Sequence, residues 1–222
     1  MKEKIIDFVS SLVSVVLGIV ITFAAQGKID KIQDRKEVEA ALRLVRTELA
    51  ANREDIGIMQ DFLKEERRAA AYFMDNRKAL AKCPADSISN HSGVLFAETS
   101  ITLSHDALEL LKMSSLFQKI GNNDLSMKII RAYDAGSSMA ATLNRHFEER
   151  DALFQSLMKD RFSNRKISDG VIQVADLLQS DYGIYSMRQL AGGAGTALIM
   201  DLTEIDEAIA ALDAFLDQKK HK

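Results

Sequence analysis

One proline, Pro84, no tryptophan and only eleven glycines stand in the 222 residues of this chain. Proline and glycine are the commonest helix breakers, so their scarcity predicts a mostly helical protein. The single cysteine, Cys83, excludes an intrachain disulfide and leaves the redox compartment open. Neither sign of charge is in excess: 29 Lys and Arg against 32 Asp and Glu give a formal net charge of -3. With no long basic stripe either, no nucleic acid is expected as a partner. Alternating β-branched runs and fixed repeats of about 20 to 50 residues are both missing, which speaks against sheets and solenoids.

Chemical motifs are equally scarce, and no cofactor or metal is expected. Ser104, His105 and Asp106 are triad residue types, but a catalytic triad is assembled from separate segments, and a serine capping a helix start explains them better. His91, His105, His146 and His221 lack metal-ligand spacing. The glycine-rich "AGGAGTA" at 191–197 lacks the lysine and hydroxyl of a phosphate loop and has no strand before it. "KEERR" at 64–68 reads as a solvated helix face. A carboxylate-bridged metal site would need inward-facing glutamates with Glu-x-x-His partners. The apolar seams around Glu48, Glu54, Asp55, Glu148, Glu149 and Asp151 instead predict that these acids point outward. No catalysis is expected.

What is present is a long hydrophobic run. From Phe8 to Ala25 no charge interrupts the chain, and only Ser10, Ser11, Ser14 and Thr22 are polar. As a helix this stretch is roughly 27 Å long, close to the thickness of a bilayer's hydrocarbon core. It exceeds the apolar region of a signal peptide, about 7 to 15 residues, and its best cleavage site is poor. Residues 1–27 therefore read as a retained membrane anchor, with membrane lipid as its partner. Ser11, Ser14, Gly18, Thr22 and Ala25 form a stripe of small residues that would let spans pack together into a homo-oligomer. Orientation stays open. Lys28, Lys31, Arg35 and Lys36 after the span favour a cytoplasmic domain, whereas a short amino-terminal tail before a long domain favours the opposite.

Beyond the anchor, Leu42, Val45, Leu49, Asn52, Ile56, Met59 and Leu63 alternate at spacings of three and four, the mark of a helix seam. This bundle seam predicts a long helix over about 28–82, continuous with the anchor. The anchor stripe and the seam fall out of step between Ile32 and Val38, where a twist or bend is expected. Pro84 and the polar cluster after it read as a loop. Ile129, Tyr133, Gly136, Ala140, Leu143 and Phe147 repeat the pattern over about 124–160, with Arg150 interrupting it, either paired with a carboxylate or marking a slip in packing. A last helix is predicted over about 196–218, with short ones near 105–119 and 171–179 and a loop-rich passage at 180–196. The expected fold is all-α: a transmembrane helix running into an elongated antiparallel bundle of three long and two short helices at 28–222.

The order of "VLGIVITFAAQ", "LRLVRTELAANRED" and "ALELLKMSSLFQKIGNNDLSMKIIRAYD" resembles an uncharacterised bacterial family of single-pass membrane proteins with a helical domain of unknown function. That resemblance implies the bacterial inner membrane, and supplies no enzyme activity or ligand. Its members usually carry a longer basic amino-terminal stretch and an Asn/Trp-rich exit from the span. This chain has "MKEK" and "QGKIDK" instead, and lacks the charges that would set orientation. Two functions are expected from these features. One is a membrane-anchored scaffold or interaction protein that self-associates. The other is a sensory, ligand-binding bundle that signals to a separate protein effector.

Overall fold

The computed structural model describes the backbone of residues 2–162, 178, 180–192 and 201–218, and the side chains of residues 26, 31–155, 178, 180–192 and 201–218. Among them the chain is all-helical, with seven helices and no strand. These are α1 (Lys2–Asn76), α2 (Ala85–Leu95), α3 (Asp106–Met113), α4 (Leu116–Lys119), α5 (Asn123–Phe162), α6 (Asp181–Gly192) and α7 (Thr203–Gln218), with a 3-10 turn at Leu80–Lys82.

The 75 residues of α1 form one helix, about 110 Å long. Its backbone continues through the apolar stretch and through Gly57 without interruption. Among the described residues no helix is long and apolar enough to cross a membrane. Ser11, Ser14, Gly18, Thr22 and Ala25 lie in α1, but their side chains fall outside the described residues. Burial begins sharply, with Ile32 58% exposed and Val38 only 1%. Leu42, Val45, Leu49, Ile56 and Leu63 are buried, and Met59 packs half-buried beside them.

The chain rises along α1 and descends through an extended segment, 97–105, followed by α3 and α4. It rises again along α5, and α7 descends, as the pairs Arg53–Asp206 and Arg46–Asp213 show. A single glycine makes the lower reversal: Gly121 has φ +69, a conformation that side chains disfavour. Gly136 of α5 is where Leu103 and α7 come close, since a Cβ there would lie 3.3 Å from Leu103 Cδ1. The apolar side chains form two clusters. The lower one joins α1, α3, α5 and α7 around Leu42, Leu49, Ile129, Leu143 and Leu212. The upper one joins α1, α2, α5 and α6 around Ala69, Ala70, Phe73, Phe154 and Met187.

Several elements differ from the sequence expectation. The segment after Pro84 is a helix, not a loop. Proline is compatible with a helix start, and Ile88, Ser92 and Leu95 then fall on one buried face. The helix expected over 105–119 is split in two, because Ser115 takes the left-handed conformation at φ 57. The passage read as loop-rich contains α6, started by Ser180, whose Oγ accepts from the Gly183 N–H at 3.0 Å. Its glycine costs helix propensity but is buried, so packing overrides it. The first long helix ends at Asn76 rather than about 82, with the 3-10 turn beyond it, and the last begins at Thr203 rather than 196. The helix expected over 171–179 lies outside the described residues except for Leu178.

Candidate functional site

Two charges sit on facing seams. The spacing Leu63, Glu66, Ala70, Phe73 continues the three-four alternation of α1 through Glu66, and Arg150 occupies the same kind of position on α5. Helix packing therefore drives both inward, and they meet. Nη1 of Arg150 lies 2.8 Å from Oε1 of Glu66, with their side chains 1% and 3% exposed. The other Glu66 oxygen accepts from Nε2 of His146 at 2.7 Å. The rest of the guanidinium is also used: Nε and Nη2 donate to Asp151 at 2.9 and 2.7 Å, and Nη2 donates to the Ala97 carbonyl at 2.5 Å. The rings of Phe147 and Phe62 flank it at 5.3 and 5.9 Å. A buried ion pair is tolerable only when its remaining donors and acceptors are satisfied, and here they are. This polar layer separates the lower apolar cluster from the upper one.

"KEERR" is therefore not a wholly solvated face, since Glu66 is buried at its centre. The interruption at Arg150 is a paired charge. Continuation of the seam spacing through Glu66 was the signal in the sequence, matched by an opposite charge on the second seam.

Beside this layer α5 and α6 stand apart over α1 and leave a groove of about 440 Å³. Thr142, Arg145, His146, Glu149, Arg150 and Leu153 line it from α5, at spacings that form one helix face. Tyr182, Tyr185, Ser186, Gln189 and Leu190 line it from α6. The opposite face of α6, with Gly183 and Met187, is buried in the bundle with Ala69, Ala70 and Phe73 of α1. The two tyrosines are 58% and 56% exposed, an unusual investment of aromatic surface.

A second polar network anchors the descending segment. Glu48 accepts from Ser104 Oγ and Tyr133 Oη, each at 2.5 Å, and from the Ala107 N–H at 3.0 Å. Glu48 thus caps α3 from another helix and does not point outward. Burial pushes its carboxyl up, but the bonds from Ser104, Tyr133 and the Ala107 and Leu108 amides outweigh this and hold it below the ordinary range. Burial, reinforced by Glu48, pushes the Tyr133 phenol upward. Asn52 and Asn144 each clamp one residue of the segment through both amide atoms: Asn52 holds the backbone of Ser104 at 2.8 and 3.0 Å, and Asn144 that of Ile101 at 2.8 and 2.9 Å.

The remaining candidates are dispersed. Ser104 lies 3.5 Å from the Asp106 N–H, while His105 turns to Ser137 at 2.8 Å, so "SHD" does not assemble into a triad. Glu54, Asp55, Glu148 and Glu149 are exposed, and Asp151 serves Arg150. His91 stacks against Tyr72 with centroids 4.2 Å apart, and His221 lies outside the described residues. Cys83 is half-buried and not in a disulfide. Of "AGGAGTA", Ala191 and Gly192 end α6 and the rest lies outside the described residues. Among the described residues no three His, Cys, Asp or Glu side chains gather in a way that could hold a metal ion.

No protein-family model, curated protein or solved structure matches the chain.

Proposed function

We propose that this protein is a membrane-anchored ligand-binding domain in which the groove between α5 and α6 takes a small organic molecule and α1 carries the effect to the anchor. The observation that carries this reading is the groove itself: its volume suits a small ligand, it mixes aromatic and polar walls, and a rigid buried ion pair underlies it. Glu66, which orients the floor, stands on the same continuous helix as the apolar stretch and about 60 Å beyond its end. A ligand that wedges α5 from α6 would bias the packing of α6 on α1, and a separate protein effector would read the change. The eighteen uncharged residues from Phe8 to Ala25 support the anchor, in a bacterial inner membrane.

Binding is tested by thermal shift of the full chain in detergent against a panel of neutral, anionic and cationic small molecules. Some members should raise Tm, and Thr142→Phe, which fills the groove, should abolish the rise. A rise that persists in that variant, or a panel without effect, would refute the groove as a binding site.

One observation favours the scaffold reading alongside. Leu44, Ala51 and Ile58 are exposed on α1 at heptad spacing, outside the buried seam, and offer a second copy of the chain a strip to pack on. Self-association and ligand binding are compatible in one molecule.

A further inference from the structure

The ring of His146 has a defined task at its buried nitrogen and an open one at the other. Nε2 lies 2.7 Å from Glu66, a carboxylate already bonded to the Arg150 guanidinium. Such a carboxylate has only acceptors to offer, so Nε2 carries a proton, and the neutral tautomer that fits this bond has its lone pair at Nδ1. Nδ1 has no protein partner among the described residues, and His146 lines the groove. The groove therefore presents one fixed acceptor, held in place by a carboxylate, as second-shell partners fix metal-ligating and catalytic imidazoles.

The walls narrow the ligand further. Arg145 stands one helical turn from Glu149, and Arg150 is answered by Glu66 and Asp151, so the groove carries no marked excess of one sign. An ion of either charge would gain little steering there. Tyr182 and Tyr185 sit one turn apart on α6 and offer exposed aromatic surface, while Leu153 and Leu190 add apolar surface. Flat apolar bodies pack well against such rings.

We propose that the groove takes a neutral, planar aromatic molecule bearing an N–H or O–H donor, packed against Tyr182 and Tyr185 and oriented by a hydrogen bond to Nδ1 of His146. This rests on the groove being a ligand site and adds the ligand's class. It also gives His146 a role that a purely structural histidine would not have, because donors and non-donors of the same shape are told apart.

Indole and N-methylindole are the probes, since they differ chiefly in the donor. The chain has no tryptophan, so bound indole can be followed by its own emission without tryptophan background, excited to the red of the four tyrosines. The full-length protein in detergent should bind indole about five- to tenfold more tightly than N-methylindole, the loss expected for one unmade neutral hydrogen bond. His146→Phe should erase that preference, and the comparison of probes on the unaltered protein stands even if this variant does not fold. Equal affinity for the two probes, with both lost in Thr142→Phe, would overturn the role of His146 and leave the groove as the site. Binding that is absent, or unchanged by Thr142→Phe, would overturn the proposed ligand class at this site.

Discussion

Arg150 and Glu66 are 84 positions apart and touch at 2.8 Å in the middle of the bundle. Each replaces an apolar residue in a seam, and each is acceptable there only because the other is opposite. The same contact fixes His146 through the second oxygen of Glu66, so an element of packing also sets the chemistry of the groove.

Truncating one partner should be far worse than removing both. Arg150→Leu leaves Glu66 buried without its cation and should cost about 3–5 kcal/mol in urea denaturation, whereas the double change Glu66→Leu with Arg150→Leu should recover much of that loss. A single variant as stable as the unaltered protein would show that the pair does not hold the two clusters together.

Acid should loosen the descending segment. Because the folded state holds the Glu48 carboxyl below its ordinary value of 4.5, the unfolded chain takes up the proton first. The stabilisation is complete above that value and is lost as pH falls through the lower folded one. Glu48→Gln should be less stable near neutrality and should show a shallower fall in Tm between neutral and acid pH. Parallel curves for the two proteins would contradict this.

Close approach of α6 to α1 depends on small side chains. Ala69 and Ala70 are fully buried in the upper cluster with Met187, so Ala70→Leu has nowhere to place its added carbons. Overpacking of this kind costs about 1–3 kcal/mol, and hydrogen exchange should quicken in α6 before it does in α7. Unaltered protection in α6 would place the helix further from α1 than the structure has it.

The proposed self-association would use two separable surfaces. Leu44→Glu with Ile58→Glu should weaken cross-linking of the detergent-solubilised protein through the bundle, while Gly18→Leu should weaken it through the span. A protein that is monomeric at every concentration, or one that neither change affects, would refute association through these faces.

Topology decides which partners are within reach. Protease added to spheroplasts should cut the helical domain if it lies outside the inner membrane and spare it if it lies inside. Digestion that leaves no protected fragment even around residues 8–25 would remove the anchor itself.

Most helices were legible because their cause is local. Apolar residues three and four apart specify a helix and its buried face wherever the chain is placed, and Leu42 through Leu63 and Ile129 through Phe147 carry that signal over many turns. α2 and α6 were missed because they are short and rich in serine and glycine, residues that favour turns when alone. They became helical by covering α1, a tertiary effect that overrides propensity. Glu48 and Glu66 were misplaced for a related reason: a carboxylate is expected in water unless its partners are known. The partners, Tyr133 and Ser104 for one and Arg150 and His146 for the other, are distant in sequence.

By itself, then, the sequence determined that this chain is helical, where its two longest seams run, and that Phe8 to Ala25 form an uncharged run about as long as a bilayer's hydrocarbon core is thick, because each follows from periodicity or length along one helix. Only the tertiary structure decided that two charges within those seams face each other, that α6 lies on α1 with a groove beside α5, and that His146 lines that groove while bonded to Glu66. Those outcomes depend on which surfaces meet, and contacts across about a hundred residues of chain are set by global packing rather than by local pattern.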